Sequence, residues 1–169
     1  MAAKQPFWER KSLAEMTKKE WESLCDGCGR CCLNKFEDES TGIIEYTDVA
    51  CFMLDCSSCA CKNYAERAVL VKDCITLTTD NLEEMAYMPE TCAYKRLNEG
   101  KKLFKWHPLI TGNPNSVKEA GISVAGRVIS EEGMSDEDME DRVVNWPMTT
   151  ITRKPKWLIQ KTTSQFREV

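Results

Sequence analysis

Apolar residues recur at helical spacing near the start of the chain, directly after a capping sequence. Residues 17–20 (TKKE) form a capping box, so the pattern predicts a helix that begins near Lys18. The apolar face of this helix would comprise Trp21, Leu24, Cys25 and Cys28. Gly27 and Gly29 interrupt the periodicity, which predicts that the chain turns there.

Farther along, the hydrophobic runs are short and are separated by turn residues. The patterns predict a strand at 43–46, a helix from 47 or 48 through 54, a helix that starts with a capping pattern at 80–83 and ends before Pro89, and a helix at 91–98 closed by Gly100. Residues 111–115 (TGNPN) are loop formers and mark a joint. Beyond the joint, weak alternation predicts a strand at 122–129, and an acidic start predicts an N-capped helix at 135–145.

Composition limits the core and the class of partner. Hydrophobic residues make up 42% of the 169 residues and charged residues 30%, which leaves a modest core. The formal net charge of -4 provides no basic field for nucleic acid, so we expect no nucleic-acid partner; an unknown protein partner stays open. The longest apolar run, 49–54, is far shorter than a membrane span, and residues 1–21 lack the apolar region of a secretory signal. We therefore expect a cytoplasmic protein without a membrane anchor.

Ten cysteines against a single histidine are the unusual feature of the chain, and all ten lie between Cys25 and Cys92. Stable disulfides are rare in a reducing cytosol, so metal ligation is favoured over a disulfide scaffold and over buried or redox-active thiols. The sequence thus predicts a small α+β fold of mostly short helices and loops, organised around cysteine-ligated metal. Its predicted divisions are an N-terminal lead-in at 1–16, a cysteine-cluster metal-binding domain at 17–110 and a C-terminal extension at 111–169. The basic end of the extension, from Arg153, is interpreted as a solvated terminus.

The first cysteine cluster, residues 25–32 (CDGCGRCC), has the spacing of a metal-binding turn. A Cys-x-x-Cys pair lets two sulfurs reach one ion, and a glycine after the second cysteine permits a left-handed backbone that aims amide N–H groups at sulfur. Adjacent Cys31 and Cys32 would serve two ions or bridge a multinuclear site. Arg30 and Lys35 could offset thiolate charge, although a solvated role is the default for each.

The second cluster spans 51–61, and isolated Cys74 and Cys92 follow it. So many thiols exceed one tetrahedral site, which predicts at least two ions, or one cluster and a second site. Cys56 is interpreted as a spare thiol. His107, held between an aromatic residue and a proline, is favoured as a structural imidazole, with metal ligation as its alternative. The candidate metal ligands are therefore Cys25, Cys28, Cys31, Cys32, Cys51, Cys59, Cys61, Cys74 and Cys92, with His107 as an optional member.

The identity of the metal is less constrained than its presence. Soft thiolates suit zinc, Cu(I) and iron–sulfur clusters. The triple Cys25, Cys28 and Cys31 matches the first part of a ferredoxin-type run, but the next cysteine is adjacent to the third instead of four positions on. The Cys-Gly turn is typical of zinc or rubredoxin-type iron, so zinc is favoured, and iron or an iron–sulfur cluster stays open.

The pattern resembles the CxxCxxCC family of zinc- or iron-chelating domains, and in particular its YcgN-type members. The matching stretches are 21–29 (WESLCDGCG), 48–51 (DVAC), 59–64 (CACKNY), 73–75 (DCI), 89–94 (PETCAY) and 106–109 (WHPL). The resemblance covers about residues 7–128, and Cys56 has no counterpart in the family pattern. It implies metal chelation and no particular activity; the same signature occurs in proteins similar to flagellin lysine methylases, for which iron–sulfur binding is an option.

These observations predict a cysteine-cluster metal-binding protein of uncharacterised cellular role whose metal is largely structural. The alternative is an iron–sulfur-dependent redox or protein-methylating enzyme. The enzyme is disfavoured because the chain has no glycine-rich strand-to-helix turn for a nucleotide or S-adenosylmethionine and no βαβ setting for a redox-active Cys-x-x-Cys. A metal-dependent partner-binding module that uses the basic C-terminus is a third interpretation.

Overall fold

Short helices and loops make up most of the chain, and one small sheet lies between them. A computed structural model describes residues 5–82 and 87–147. The helices in this part are α1 (Phe7–Arg10), α2 (Lys18–Glu22), α3 (Arg67–Leu70), α4 (Ala93–Asn98), α5 (Pro108–Thr111), α6 (Ser116–Glu119) and α7 (Asp136–Glu140), with 3-10 turns at Leu13–Glu15 and Arg30–Cys32. The strands are β1 (Leu33–Glu37), β2 (Ile44–Ala50) and β3 (Ile129–Ser130). The small α+β class predicted from the sequence is confirmed.

The capping box at the start of α2 forms as predicted. The Thr17 hydroxyl accepts a hydrogen bond from the Glu20 N–H at 3.2 Å, and the Glu20 carboxylate accepts one from the Thr17 N–H at 2.8 Å. The helix ends at Glu22, and the buried Leu24 follows it. The cap therefore fixes where the chain turns just before the cysteine loop.

The sheet has the order β1-β2-β3, with β1 antiparallel and β3 parallel to β2. The predicted strand at 43–46 is confirmed, but the helix predicted from 47 or 48 through 54 is wrong, because the strand continues to Ala50. Val49 and Ala50 are fully buried and pair with β3, while Ala50 also pairs with Leu33 of β1. Pairing on both edges satisfies the backbone of β2 in an extended conformation.

The C-terminal half differs from its predicted elements. The strand predicted at 122–129 forms only at Ile129–Ser130, and the preceding segment instead contacts the cysteine loop through the Val124 N–H, which donates to the Cys28 carbonyl at 2.9 Å. The Ser135 cap forms, but α7 ends at Glu140 rather than near 145. The chain then pairs with β2 through a bridge between Val143 and Thr47, which takes the backbone groups that a longer helix would use.

Three further predictions concern the middle of the chain and its end. The helix predicted at 91–98 is confirmed as α4, and the Gly100 N–H donates to the Leu97 carbonyl as an ordinary helix end. The helix predicted from residue 80 includes residues 83–86, which lie outside the described residues, so it stays a prediction. The basic terminus from Arg153 also lies outside them.

Three apolar clusters form the core of the described residues, and the smallest of them comprises Cys28, Val117 and Ile122. The first joins the helices and the segment before α4, and comprises Leu24, Leu82, Met88, Cys92, Ala93, Tyr94 and Leu103. The second lies on the sheet and comprises Leu33, Ile44, Tyr46, Ala50, Leu54, Val124, Val128 and Trp146. The second cluster takes side chains from both sides of the predicted joint at 111–115; the division of the chain there stays a prediction. In the described ranges, no helix has both the length and the apolar character to cross a membrane.

Candidate metal centre

Two glycines shape the loop that carries the first cysteines. Gly27 and Gly29 have φ angles of 70° and 78°, the left-handed conformation that the predicted turn requires. The turn aims backbone N–H groups at sulfur: the Gly27 N–H hydrogen-bonds to the Cys25 sulfur, and the Arg30 N–H to the Cys28 sulfur. Because such bonds stabilise thiolate charge, the loop is suited to sulfur ligands.

Four cysteines line a small cavity beside this loop. We call them the first thiol group: Cys25, Cys28, Cys31 and Cys92. The cavity has a volume of about 50 Å³. Cys92 directly precedes α4, and its sulfur accepts hydrogen bonds from the N–H groups of Lys95 and Tyr94. The fold thus brings a fourth sulfur, distant in the sequence, to the three sulfurs of the loop.

Burial keeps most of these thiols protonated in the absence of a cation. Cys28 and Cys92 are buried, and burial raises the pKa of Cys28 well above its ordinary value and the pKa of Cys92 to about 12. The Cys25 residue is exposed overall, yet desolvation of its sulfur, followed by the neighbouring Cys31, raises its pKa to about 12. A bound dication reverses this balance, since it stabilises the thiolates directly.

Cys31 has a different electrostatic environment from the other three. A hydrogen bond with the Cys32 thiol, 3.8 Å away between sulfurs, lowers the pKa of Cys31, and the positive charge of Lys35 contributes in the same direction. The Lys35 ammonium is held there because it donates to the carbonyls of Cys31 and Leu33 at 3.0 and 2.7 Å. Lys35 therefore lies where it can offset thiolate charge, which is one of the two roles that the sequence analysis considers for it.

A second set of cysteines lies beyond the first, at the end of the sheet. We call it the second thiol group: Cys32, Cys51, Cys61 and Cys74. All four are half-buried. Cys32 and Cys51 are joined by a backbone hydrogen bond of 2.8 Å, and the charges of Cys61 and Cys74 both act on Cys51.

The remaining two cysteines pack against the sheet cluster. Cys56 has its sulfur 3.9 Å from the Leu54 carbonyl. Cys59 adopts a φ of 61°, and its sulfur lies 3.7 Å from the Ser123 hydroxyl. The Cys59 sulfur lies close to residues 123–124 and Gly29, and the charges of Cys56 and Cys31 act on it; its role as a ligand stays a prediction.

His107 is buried and both of its ring nitrogens have backbone partners. Nδ1 accepts a hydrogen bond from the Leu109 N–H at 3.1 Å, so the proton lies on Nε2, which donates to the Leu24 carbonyl at 3.1 Å. Burial lowers the pKa of His107, which favours this neutral form. The arrangement supports the structural interpretation of His107, which anchors the residue immediately before Cys25.

The prediction that the Arg30 side chain is solvated is wrong. It is fully buried, with Nε donating to the Ile122 carbonyl at 2.8 Å and Nη1 donating to the Pro147 carbonyl. Cys28 acts on it electrostatically. Only its position inside the cysteine cluster could have signalled this role, because its carbonyl partners are about a hundred residues away in the sequence.

The donor set fits a soft metal ion. Four thiols surround one cavity, and three of them accept N–H groups of other residues, which favours the thiolate form that zinc or iron binds. Among the described residues, no three Cys, His, Asp or Glu side chains converge as tightly as a bound ion would draw them. Closure on an ion therefore needs movement of the side chains around the cavity.

Comparisons with known proteins point to the same residues. The family model CxxCxxCC, described as "Putative zinc- or iron-chelating domain", matches residues 24–93. A UPF0260 protein of Parvibaculum lavamentivorans is 53% identical over 146 residues, which cover 86% of this chain and 95% of the relative. A UPF0260 protein of Rhizobium etli strain CIAT 652 is 54% identical over 149 residues, 88% of this chain and 94% of the relative. No solved structure matches the chain.

Proposed function

Because the chain belongs to the UPF0260 family of cysteine-cluster proteins, we propose that it binds a thiophilic metal ion at the first thiol group and uses it as a structural element. The observation that carries this proposal is the cavity lined by Cys25, Cys28, Cys31 and Cys92. Zinc is the preferred ion, since a closed four-cysteine shell is typical of structural zinc, and iron can occupy the same shell.

The residues around the cavity have defined tasks in binding. Each thiol that becomes a ligand loses its proton to solvent, and the backbone N–H groups of the loop and of α4 stabilise the resulting charge. Lys35 adds a positive charge beside Cys31. His107 holds the Leu24 carbonyl and so fixes the backbone from which Cys25 projects.

The limited core supports a structural role for the metal. Cys92 is itself a member of the first apolar cluster, and Val69 and Leu70 of α3 are exposed instead of adding to a core. Structural zinc contributes on the order of 10–16 kcal/mol at neutral pH, as much as the whole free energy of unfolding of a typical domain, roughly 5–15 kcal/mol. Metal removal should therefore unfold the segment that carries the cysteines, residues 25–92.

The test combines metal analysis with circular dichroism on the full chain purified without oxygen. We expect at least one equivalent of zinc or iron, and a large loss of helical signal with a strong chelator under reductant, restored by added metal. A tetrathiolate iron site is coloured and a zinc site is colourless, so the absorption spectrum identifies the ion. Less than one equivalent of any transition metal, or an apoprotein that keeps its spectrum and melts cooperatively, would contradict the proposal.

The comparisons give no support to the alternative of an iron–sulfur-dependent redox or protein-methylating enzyme. The described residues support ligation and packing around the cavity, and the relatives are named only as UPF0260 proteins. The cytoplasmic location and an unknown protein partner stay predictions.

A further inference from the structure

We propose that the second thiol group, Cys32, Cys51, Cys61 and Cys74, binds a second divalent thiophilic cation, separate from the ion of the first group. This inference rests on the proposed function, because it extends thiolate ligation to a second shell. It also assigns the two adjacent cysteines to different ions: Cys31 to the first and Cys32 to the second.

The sheet register places two of the four cysteines opposite each other. Leu33 of β1 pairs with Ala50 of β2, so Cys32 and Cys51 occupy facing positions just past the end of the antiparallel ladder. The Cys51 N–H donates to the Cys32 carbonyl at 2.8 Å, which fixes this relation. This hydrogen bond holds the two backbones side by side, so the two side chains start from neighbouring positions.

A tight hairpin returns the third cysteine to the same place. The chain turns directly after Cys51, where the Leu54 N–H donates to the Cys51 carbonyl at 2.8 Å. Leu54 then forms an antiparallel bridge with Cys61, and the Lys62 N–H donates to the Met53 carbonyl at 2.7 Å. The Met53 N–H also hydrogen-bonds to the Cys51 sulfur, as the Gly27 N–H does to Cys25 in the first group.

Cys74 completes the set from the turn after α3. Its N–H donates to the Val71 carbonyl at 3.1 Å, which fixes its backbone. The charges of Cys61 and Cys31 act on Cys74, the charges of Cys74 and Cys61 act on Cys51, and the charge of Cys51 acts on Cys32. The four thiols thus lie in one part of the molecule and each is half-buried. Among the described residues they do not converge as tightly as a bound ion would draw them, so their side chains must move to ligate it.

The division between Cys31 and Cys32 follows from their surroundings. Cys31 lines the cavity of the first group, whereas Cys32 packs against the sheet cluster and lies beside Cys51. The 3-10 turn Arg30–Cys32 lies between the two groups and contributes one sulfur to each. Each four-thiolate shell with a divalent cation is net negative. The positive charges of Lys35 and Arg30 lie close to the turn that contributes a sulfur to each shell.

The first measurement needs no variant. Native mass spectrometry of the full chain, purified without oxygen and loaded with zinc under reductant, should show the chain plus two zinc ions. Titration of the apoprotein with cobalt(II) should give tetrathiolate charge-transfer absorption that grows to two equivalents. A chain with one ion, or a mass that corresponds to an iron–sulfur cluster, would overturn the second centre while leaving metal binding in place. A chain with no ion would instead defeat the proposed function itself.

The second measurement assigns the ligands. Cys61→Ser should retain one zinc ion, because it removes a ligand from the second shell and leaves the first shell complete. Cys56→Ser is the matched control from the same hairpin as Cys61 and should retain two. If Cys61→Ser retains two ions, Cys61 is not a ligand and the second centre is wrong. Loss of both ions from a Cys61→Ser chain that stays folded would also contradict two separate shells.

Discussion

Gly29→Ala tests whether the cysteine loop, the hairpin and the C-terminal segment are packed as one unit. Gly29 has a φ of 78°, and a Cβ added there would lie 2.7 Å from the Cys59 sulfur and 2.8 Å from Val124 Cγ2. The backbones of both neighbours are held in place, because the Cys59 N–H donates to the Asp55 carbonyl at 2.8 Å and the Val124 N–H to the Cys28 carbonyl at 2.9 Å. The Cys59 Cβ, which side-chain rotation does not move, would also lie 3.1 Å from the added atom.

The size of the effect follows from two separate costs. The left-handed backbone costs an alanine about 1–2 kcal/mol, and overpacking a buried site costs about 1–3 kcal/mol. Gly29→Ala should therefore lower the free energy of unfolding by about 2–5 kcal/mol, a large part of the roughly 5–15 kcal/mol of a typical domain. Gly27→Ala is the matched control: its φ is 70°, but no described atom lies within 4 Å of the added Cβ, so only the backbone cost applies.

The assay is equilibrium urea unfolding followed by circular dichroism, at fixed zinc concentration and under reductant. The difference between the two variants measures the packing cost alone. A double-mutant cycle of Gly29→Ala with Val124→Ala should show a favourable coupling, because the truncation removes the methyl group at 2.8 Å. Equal losses for Gly27→Ala and Gly29→Ala would refute the close approach of the loop to Cys59 and Val124.

Three further substitutions test individual contacts by the same unfolding assay. His107→Leu leaves the Leu24 carbonyl and the Leu109 N–H without their partner and should lower the free energy of unfolding by about 2–6 kcal/mol. His107→Gln should lower it less. Equal losses for the two variants would argue against the two hydrogen bonds. Thr17→Ala removes the N-cap of α2 and should cost about 0.5–2 kcal/mol; no loss would show that the cap is dispensable. Arg30→Lys cannot reproduce the two hydrogen bonds of the guanidinium group and should lower the free energy of unfolding by about 2–4 kcal/mol. An unchanged free energy of unfolding would contradict the burial of Arg30.

Local features of the fold could be predicted from the sequence. The cap at Thr17, the left-handed glycines of the cysteine loop and the end of α4 before Gly100 all depend on residues within a few positions of one another. Ser135 likewise begins its helix at the predicted place. Hydrogen bonds of this kind form inside a short segment, so the residues that decide them are visible in that segment.

Elements that depend on distant partners could not be predicted in this way. Residues 47–50 were expected to start a helix, yet they are strand because β1 and β3 pair with them from opposite sides. The helix from Ser135 ends early because Val143 bridges to Thr47. In each case the free energy of a segment is set by hydrogen bonds and burial that other parts of the chain supply.

The candidate site likewise depends partly on local sequence and partly on contacts between distant segments. The sequence by itself indicated thiolate ligation, since cysteine content and the spacing of residues 25–32 are local chemical properties. Only the tertiary structure decided that Cys92 lines the cavity with the loop cysteines, that Cys32 faces Cys51, and that Arg30 is buried. These relations come from sheet register and from packing between segments far apart in the chain, and spacing along a sequence carries no information about distances created by packing.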